Sequence, residues 1–128
     1  MAKVNEKNGK KTILIVDDEE EACGMICSYL RRRGFDARAA YTGKEALEVL
    51  KKTIPHLIIL DVIMPVMDGF EFLRHLKFES NYSEIPVIML TAKTEPANIE
   101  KGISLQADFY LPKPFEFDNL MNFINLVL

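Results

Sequence analysis

Five positions carry side chains that could do chemistry together: Asp17, Asp18, Asp61, Thr91 and Lys113. The first four stand at the ends of short apolar runs, after Val16, Leu60 and Leu90, and Lys113 lies between Pro112 and Pro114 just past Phe109-Tyr110-Leu111. If those runs are strands of one parallel sheet, the five residues meet at one edge, because parallel strands all end on the same side. Carboxylates 4–5 Å apart repel by roughly 3–4 kcal/mol per pair at an effective dielectric of about 20. One lysine cannot neutralise three of them, so the cluster calls for a divalent cation, or for a raised carboxylate pKa when none is bound. The donors are all oxygens, with no histidine or cysteine beside them, which points to a hard ion, and Mg²⁺ fits best. An aspartate beside Mg²⁺ and an ammonium can attack a phosphoryl group and become an acyl phosphate. Asp61 is the candidate nucleophile, because it ends a central run while the other two acids arrive as a pair. Singly, each group has a plain structural role: residues 17–21 as a charged helix start, Thr91 as a cap. It is the five together that point to chemistry.

The elements that must position them are readable from the hydrophobic pattern. Residues 12–16 form a continuous β-branched and leucine run, the mark of a strand buried on both faces. The acidic stretch that follows suits the positive end of a helix, in which Ala22, Met25, Ile26, Tyr29 and Leu30 share a face and Gly34 supplies the stop. Residues 35–40 read as a weaker second strand, and Thr42-x-x-Glu45 as a capping box for the next helix, with Ala46, Leu47 and Leu50 inward. Residues 56–60 form the third strand, and a loop with Pro65 and Gly69 leads into a short helix through Leu76. Residues 85–90 form the fourth strand, Pro96 opens another helix, residues 109–111 form the fifth strand, and 115–128 the last helix. Strands alternating with helices imply an α/β domain with a parallel sheet and helices on both faces. Five units suggest a doubly wound, flavodoxin-like sheet; its order 2-1-3-4-5 is borrowed from known domains of this rhythm. An eight-fold barrel needs more chain.

Composition narrows the classes further. The 128 residues are 48% hydrophobic and 27% charged, enough for one domain with a core. A net charge of −3 gives no global basic field for a phosphate backbone, so direct nucleic-acid binding is not expected. The longest apolar runs are far too short for a bilayer, no signal peptide is visible and two cysteines make no disulfide framework, so no membrane association and a cytoplasmic setting are expected. Residues 1–11 carry Lys3, Lys7, Lys10 and Lys11 and read as a flexible tail, leaving 12–128 as the domain.

The segments Ile13-Leu14-Ile15-Val16-Asp17-Asp18-Glu19, Leu57-Ile58-Ile59-Leu60-Asp61, Met64-Pro65-x-Met67-Asp68-Gly69, Pro86-Val87-Ile88-Met89-Leu90-Thr91-Ala92 and Tyr110-Leu111-Pro112-Lys113-Pro114-Phe115 resemble a response-regulator receiver domain of two-component signalling. Each alone is weak; five in order and spacing are specific, and the resemblance covers nearly all of 12–128. The resemblance implies that Asp61 is the phosphoacceptor, taking a phosphoryl group from a phosphohistidine on a sensor histidine kinase or a histidine phosphotransfer protein. It implies that Asp18 binds Mg²⁺ directly and Asp17 through water, with the backbone carbonyl of Ile63 completing the set beside Asp61. Lys113 would contact the phosphoryl oxygens, Thr91 would hydrogen-bond one of them, and Tyr110 would be the switch aromatic. Such a chain is a switch catalysing only its own phosphotransfer and dephosphorylation. Its output would run through the face formed by the helix opened at Pro96, the fifth strand and the final helix, towards a dimer mate, a target or an output domain.

Departures and leftovers sharpen this. Gln106-Ala107-Asp108-Phe109 stands where the family usually has Gly-Ala-Asp-Asp, and His56 where aspartate is common; His56 reads as a polar strand-start residue rather than a phosphorylated one. Cys23 and Cys27, four apart, read as small semi-buried residues rather than a redox or metal pair, and His75 as solvated. Met64 and Met67 serve packing, Ala92 keeps the site open, and Ile63 and Lys93 stand where the family tunes its dephosphorylation rate. On the last helix Phe117, Leu120, Met121, Ile124, Val127 and Leu128 can form a core face, with Phe123 and Leu126 extending the apolar surface beyond it. The ending Leu126-Val127-Leu128 leans towards a receiver cut from a longer protein. Three rivals stand beside this reading. A Mg²⁺-dependent aspartyl phosphatase would commonly have an acid two residues after the nucleophile, where this chain has Ile63. A pseudo-receiver that never takes phosphate usually lacks one of the five site residues, and a flavodoxin-type binder would need a phosphate loop after the first strand.

Overall fold

Strands buried on both faces cannot alternate apolar with polar residues, and three of the five here do not. The computed structural model describes residues 9–62, 64, 66–79, 81–91 and 107–128. Its elements run β1 (Thr12–Val16), α1 (Glu20–Arg32), β2 (Asp36–Ala40), α2 (Gly43–Lys52), β3 (Leu57–Asp61), α3 (Gly69–Phe78), β4 (Val87–Thr91), β5 (Phe109–Pro112) and α4 (Phe117–Val127). The five strands form one parallel sheet in the order β2-β1-β3-β4-β5, the expected doubly wound arrangement. Every residue of β1, β3 and β4 is buried. The helix expected from Pro96, with Ala92, Lys93 and Gln106, lies outside the described residues, as do Ile63, Pro65 and residues 1–8 of the tail.

The pleat sorts the core into two layers. Leu14, Val16, Ile58, Leu60, Val87 and Met89 face α2 and α3, meeting Ala46, Leu50, Phe72, Leu73 and Leu76. Ile13, Ile15, Leu57, Ile59, Ile88 and Leu90 face α1 and α4, meeting Ile26, Leu30, Leu120 and Ile124.

Helix ends follow local chemistry. After α1, Gly34 adopts φ +93° while its N–H reaches Arg31 O (3.1 Å) and Phe35 N–H reaches Leu30 O (3.1 Å), a Schellman closure that needs a residue at ease with positive φ. That closure consumes Phe35, so β2 begins one residue later than its hydrophobicity suggests. At α2, Thr42 Oγ1 accepts the Glu45 N–H (3.0 Å), but the Glu45 carboxylate reaches Tyr41 N–H (3.2 Å), one residue before the expected box partner. β4 starts at Val87 because Ile85 N–H is spent on Tyr82 O and Pro86 has none to give. α4 starts at Phe117, as Glu116 is still extended.

Two expectations about faces need correction. Met25 is 56% exposed, whereas Cys23 and Cys27 are fully inside. The stripe that meets the sheet is Cys23, Ile26, Cys27 and Leu30, at i, i+3, i+4 and i+7, so both thiols are core residues. On α4, Phe123 is not part of an uncovered surface: its ring stacks on Phe109 of β5 at 4.9 Å. Leu126 does project, 71% exposed.

Candidate functional site

Strands β1, β3 and β4 each deliver a polar residue at the C-terminal edge. Asp17, one residue past β1, is fully buried; its N–H donates to Ala40 O of β2 (3.1 Å) and its Oδ1 accepts the Glu19 N–H (3.0 Å). That turn leaves Asp18 exposed at the rim, ahead of α1. Asp61 closes β3 beside Leu90 of β4 and is 6% exposed. Thr91 closes β4, buried, and its carbonyl accepts the Lys113 N–H (2.7 Å), which fixes the start of the Lys113 side chain.

These placements bring four of the five groups into contact range. One oxygen each from Asp17, Asp18 and Asp61 lie within 4.8 Å of one another, a set that could hold a metal ion. Lys113 Nζ stands 3.4 Å from Asp17 Oδ2 and 3.6 Å from Asp61 Oδ1. Burial alone would pull its ammonium down; the Asp61 and then Asp17 carboxylates more than reverse this and hold it above the usual lysine range. If all are ionised, three negative charges face one positive, and two remain for a cation. The donors are oxygens only, two buried and one at the rim, which fits a hard divalent ion with one side open to solvent. Ile63 lies outside the described residues.

The loop after Asp61 is pinned beneath it. Gly69 N–H donates to Val62 O (2.8 Å), and a Cβ at Gly69 would collide with the Asp61 carbonyl, so only glycine fits. Asp68 Oδ1 caps α3 by accepting the Glu71 N–H (2.9 Å). Reading the sequence for chemistry missed this cap, although Asp68-x-x-Glu71 carries the signal. Met64 is buried and Met67 half-buried in the layer under α2 and α3, in keeping with packing.

Tyr110 is half-buried on β5 beside Met89. Its hydroxyl is buried and finds no hydrogen-bond partner among the described residues, and burial pushes the phenol up to about 12. Elsewhere, His75 is exposed, and His56 lies at the sheet's opposite edge, at the entry of β3.

Comparisons with known proteins bear on the family and the fold. The response regulator receiver domain family matches residues 13–125. The phosphate regulon transcriptional regulatory protein PhoB of Escherichia coli is 37% identical over 118 residues, covering 92% of this chain and 52% of that protein. The DNA-binding response regulator MtrA of Mycobacterium leprae is 36% identical over 107 residues, covering 84% of this chain and 46% of that protein. The chain thus spans about half the length of these curated relatives. Among solved structures, the Vibrio cholerae chemotaxis protein CheY4 superposes with a TM-score of 0.88 at 35% identity, covering 93% of this chain and 99% of that one. The receiver domain of Francisella response regulator 1452 gives 0.84 at 30% identity, covering 92% and 96%. Residue pattern, sheet order and all three comparisons converge: the chain belongs to the response regulator receiver domain family.

Proposed function

We propose that this receiver is a phosphorylatable switch, with Asp61 taking a phosphoryl group from a phosphohistidine on a sensor histidine kinase or a histidine phosphotransfer protein. The observation that carries this is the meeting of three carboxylates and one ammonium at one strand edge, with Lys113 Nζ 3.6 Å from Asp61 Oδ1. An Asp61 oxygen forms the new O–P bond as the N–P bond of the donor breaks, and the leaving imidazole takes up a proton. Lys113 pairs with the incoming phosphoryl oxygens, and its raised proton affinity keeps it charged for that purpose at neutral pH. Asp18, Asp17, Asp61 and the Ile63 carbonyl would hold Mg²⁺. When bound, Mg²⁺ screens the anionic nucleophile from the anionic phosphoryl group.

Thr91 supplies the differential contact: its hydroxyl bonds a phosphoryl oxygen only after transfer, which biases a two-state equilibrium. Tyr110 is the second switch residue, its buried hydroxyl having no hydrogen-bond partner among the described residues. The output face comprises β5, α4 and the helix expected from Pro96, and its occupant is a dimer mate, a target or an output domain. The working unit is 12–128, with 1–11 as a tail, in the cytoplasm; no helix among the described residues is long and apolar enough to cross a membrane.

Intact mass after incubation with acetyl phosphate and Mg²⁺ tests this. The wild type should gain one phosphoryl mass, lost with EDTA, and Asp61→Asn should gain none while remaining folded. Equal labelling of the variant would remove Asp61 from the mechanism.

A further inference from the structure

One face of α1 is left uncovered among the described residues. The inward stripe of Cys23, Ile26, Cys27 and Leu30 packs on the sheet, whereas Glu21, Gly24, Met25, Ser28 and Arg32 are exposed on the outward side. With Phe117, whose ring stacks on Tyr29 of α1 at 4.5 Å, these five line a shallow groove. Met25 lies in that groove as an exposed large apolar side chain. Gly24 sits in the middle of the helix, where glycine costs about 1 kcal/mol relative to alanine. The fold supplies no local reason for it: its φ is not positive, and a Cβ built there meets nothing within 4 Å. A helix surface left bare at a cost to the helix marks the close approach of something outside the monomer.

The charges on this face identify the occupant. Glu21 and Arg32 stand about three helical turns apart, and neither forms an ion pair among the described residues. The two neighbouring arginines are already engaged: Arg31 donates to Ala37 O (2.7 Å), and Arg33 lies over the Tyr29 ring at 4.8 Å. A face with an acid at one end and a base at the other is complementary to itself when turned end for end. We propose that α1 pairs antiparallel with α1 of a second copy of this chain, about a two-fold axis between residues 26 and 27. Glu21 of each copy then meets Arg32 of the other, and Met25 meets Ser28 and the bare surface of Gly24. The opposed helix dipoles add to the attraction. A face of one sign would call for a different partner of the other sign; this one carries one of each. The contact is one helix wide, so the dimer falls in the weak class that buries less than about 1,200 Å². It is built on α1 rather than on β5, and so is distinct from the face proposed for output.

Sedimentation velocity of the unphosphorylated chain over a concentration series tests the pairing. The wild type should shift from monomer towards dimer between about 10 µM and about 1 mM, and added salt should weaken the shift. Glu21→Arg and Arg32→Glu should each weaken self-association about tenfold or more, because like charges then face each other twice. An equimolar mixture of these two variants should recover it, since one copy supplies both bases and the other both acids; recovery also requires that both variants are folded. Gly24→Leu, which the monomer has room for, should abolish the dimer while leaving thermal stability at or above that of the wild type. A wild type that stays monomeric throughout would overturn the proposal. So would association that survives both single reversals, which would put the dimer on another face, or a mixture that fails to recover.

Discussion

Replacing Lys113 by methionine should cost the fold about 2–3 kcal/mol in metal-free buffer at pH 7, and Mg²⁺ should return part of it. The ammonium lies 3.4 Å from Asp17 Oδ2 and 3.6 Å from Asp61 Oδ1. At an effective dielectric of about 20 these contacts contribute roughly 4.9 and 4.6 kcal/mol. Dehydrating the ammonium consumes several kcal/mol of that sum, and breaking a buried pair typically costs about 3–5 kcal/mol. The side chain is 24% exposed, so water screens part of the loss and the lower figure applies. Methionine keeps an unbranched apolar stem, so packing changes little. What remains is three carboxylates with oxygens no more than 4.8 Å apart, so each pair repels by at least roughly 3.5 kcal/mol with the same dielectric. A divalent cation relieves more strain there than in the wild type, so Mg²⁺ should raise the variant's unfolding free energy more. Urea unfolding of both proteins in EDTA and in saturating Mg²⁺ measures all four values. Because Lys113 is held above the ordinary lysine range, the wild-type advantage should persist through neutral pH. It should fall away only above about 10.4, as the folded ammonium titrates. A variant as stable as wild type in EDTA, or equal Mg²⁺ gains in both, would refute the charge balance argued for this site.

Gly69→Ala should destabilise by about 2–3 kcal/mol and slow labelling of Asp61, because the new Cβ meets the Asp61 carbonyl rather than a yielding side chain; wild-type thermal stability together with a wild-type labelling rate would contradict this. Tyr110→Phe removes a buried hydroxyl that has no partner among the described residues, so at pH 7 it should leave stability unchanged or raise it by up to about 1 kcal/mol. The folded phenol at about 12 stays neutral where an unfolded one ionises near 10, so Tyr110 contributes stability that is lost as pH climbs through that window. Ultraviolet titration of the phenolates should lose its step near 12 in the variant, and persistence of that step would assign it to another tyrosine.

The parallel sheet and the strand-end placement of its acidic residues were legible because both rest on residue type in sequence order, whereas the strand order came from known domains of this rhythm. A strand apolar at every position must be covered twice, and a parallel strand must end where its neighbours end, so Asp17, Asp61 and Thr91 could be brought to one edge without coordinates. Element boundaries were less legible, because backbone partners decide them: Phe35 belongs to the closure of α1, and Ile85 to the turn before β4. Met25 lies outside the core and Cys27 fully inside it for a related reason. Hydrophobicity ranks methionine and cysteine alike as core candidates, while the angular position of each on α1 decides which one meets the sheet.

The two edges of the sheet differ in how much of their chemistry a sequence can carry. At the C-terminal edge, like charges converge, and no arrangement of three carboxylates and one lysine can be electrostatically indifferent. Residue identity alone therefore forces a conclusion about cations and anions. At the opposite edge the same sheet register sets His56 on Thr12 and Asp108 on Val87. Neither residue has a meaning there until the backbone N–H that it satisfies is known. A histidine at a strand start is uninformative as a type and informative as an acceptor, because only the sheet register shows which backbone N–H it satisfies. The register that makes the acidic cluster is thus also what sets His56 on the Thr12 N–H.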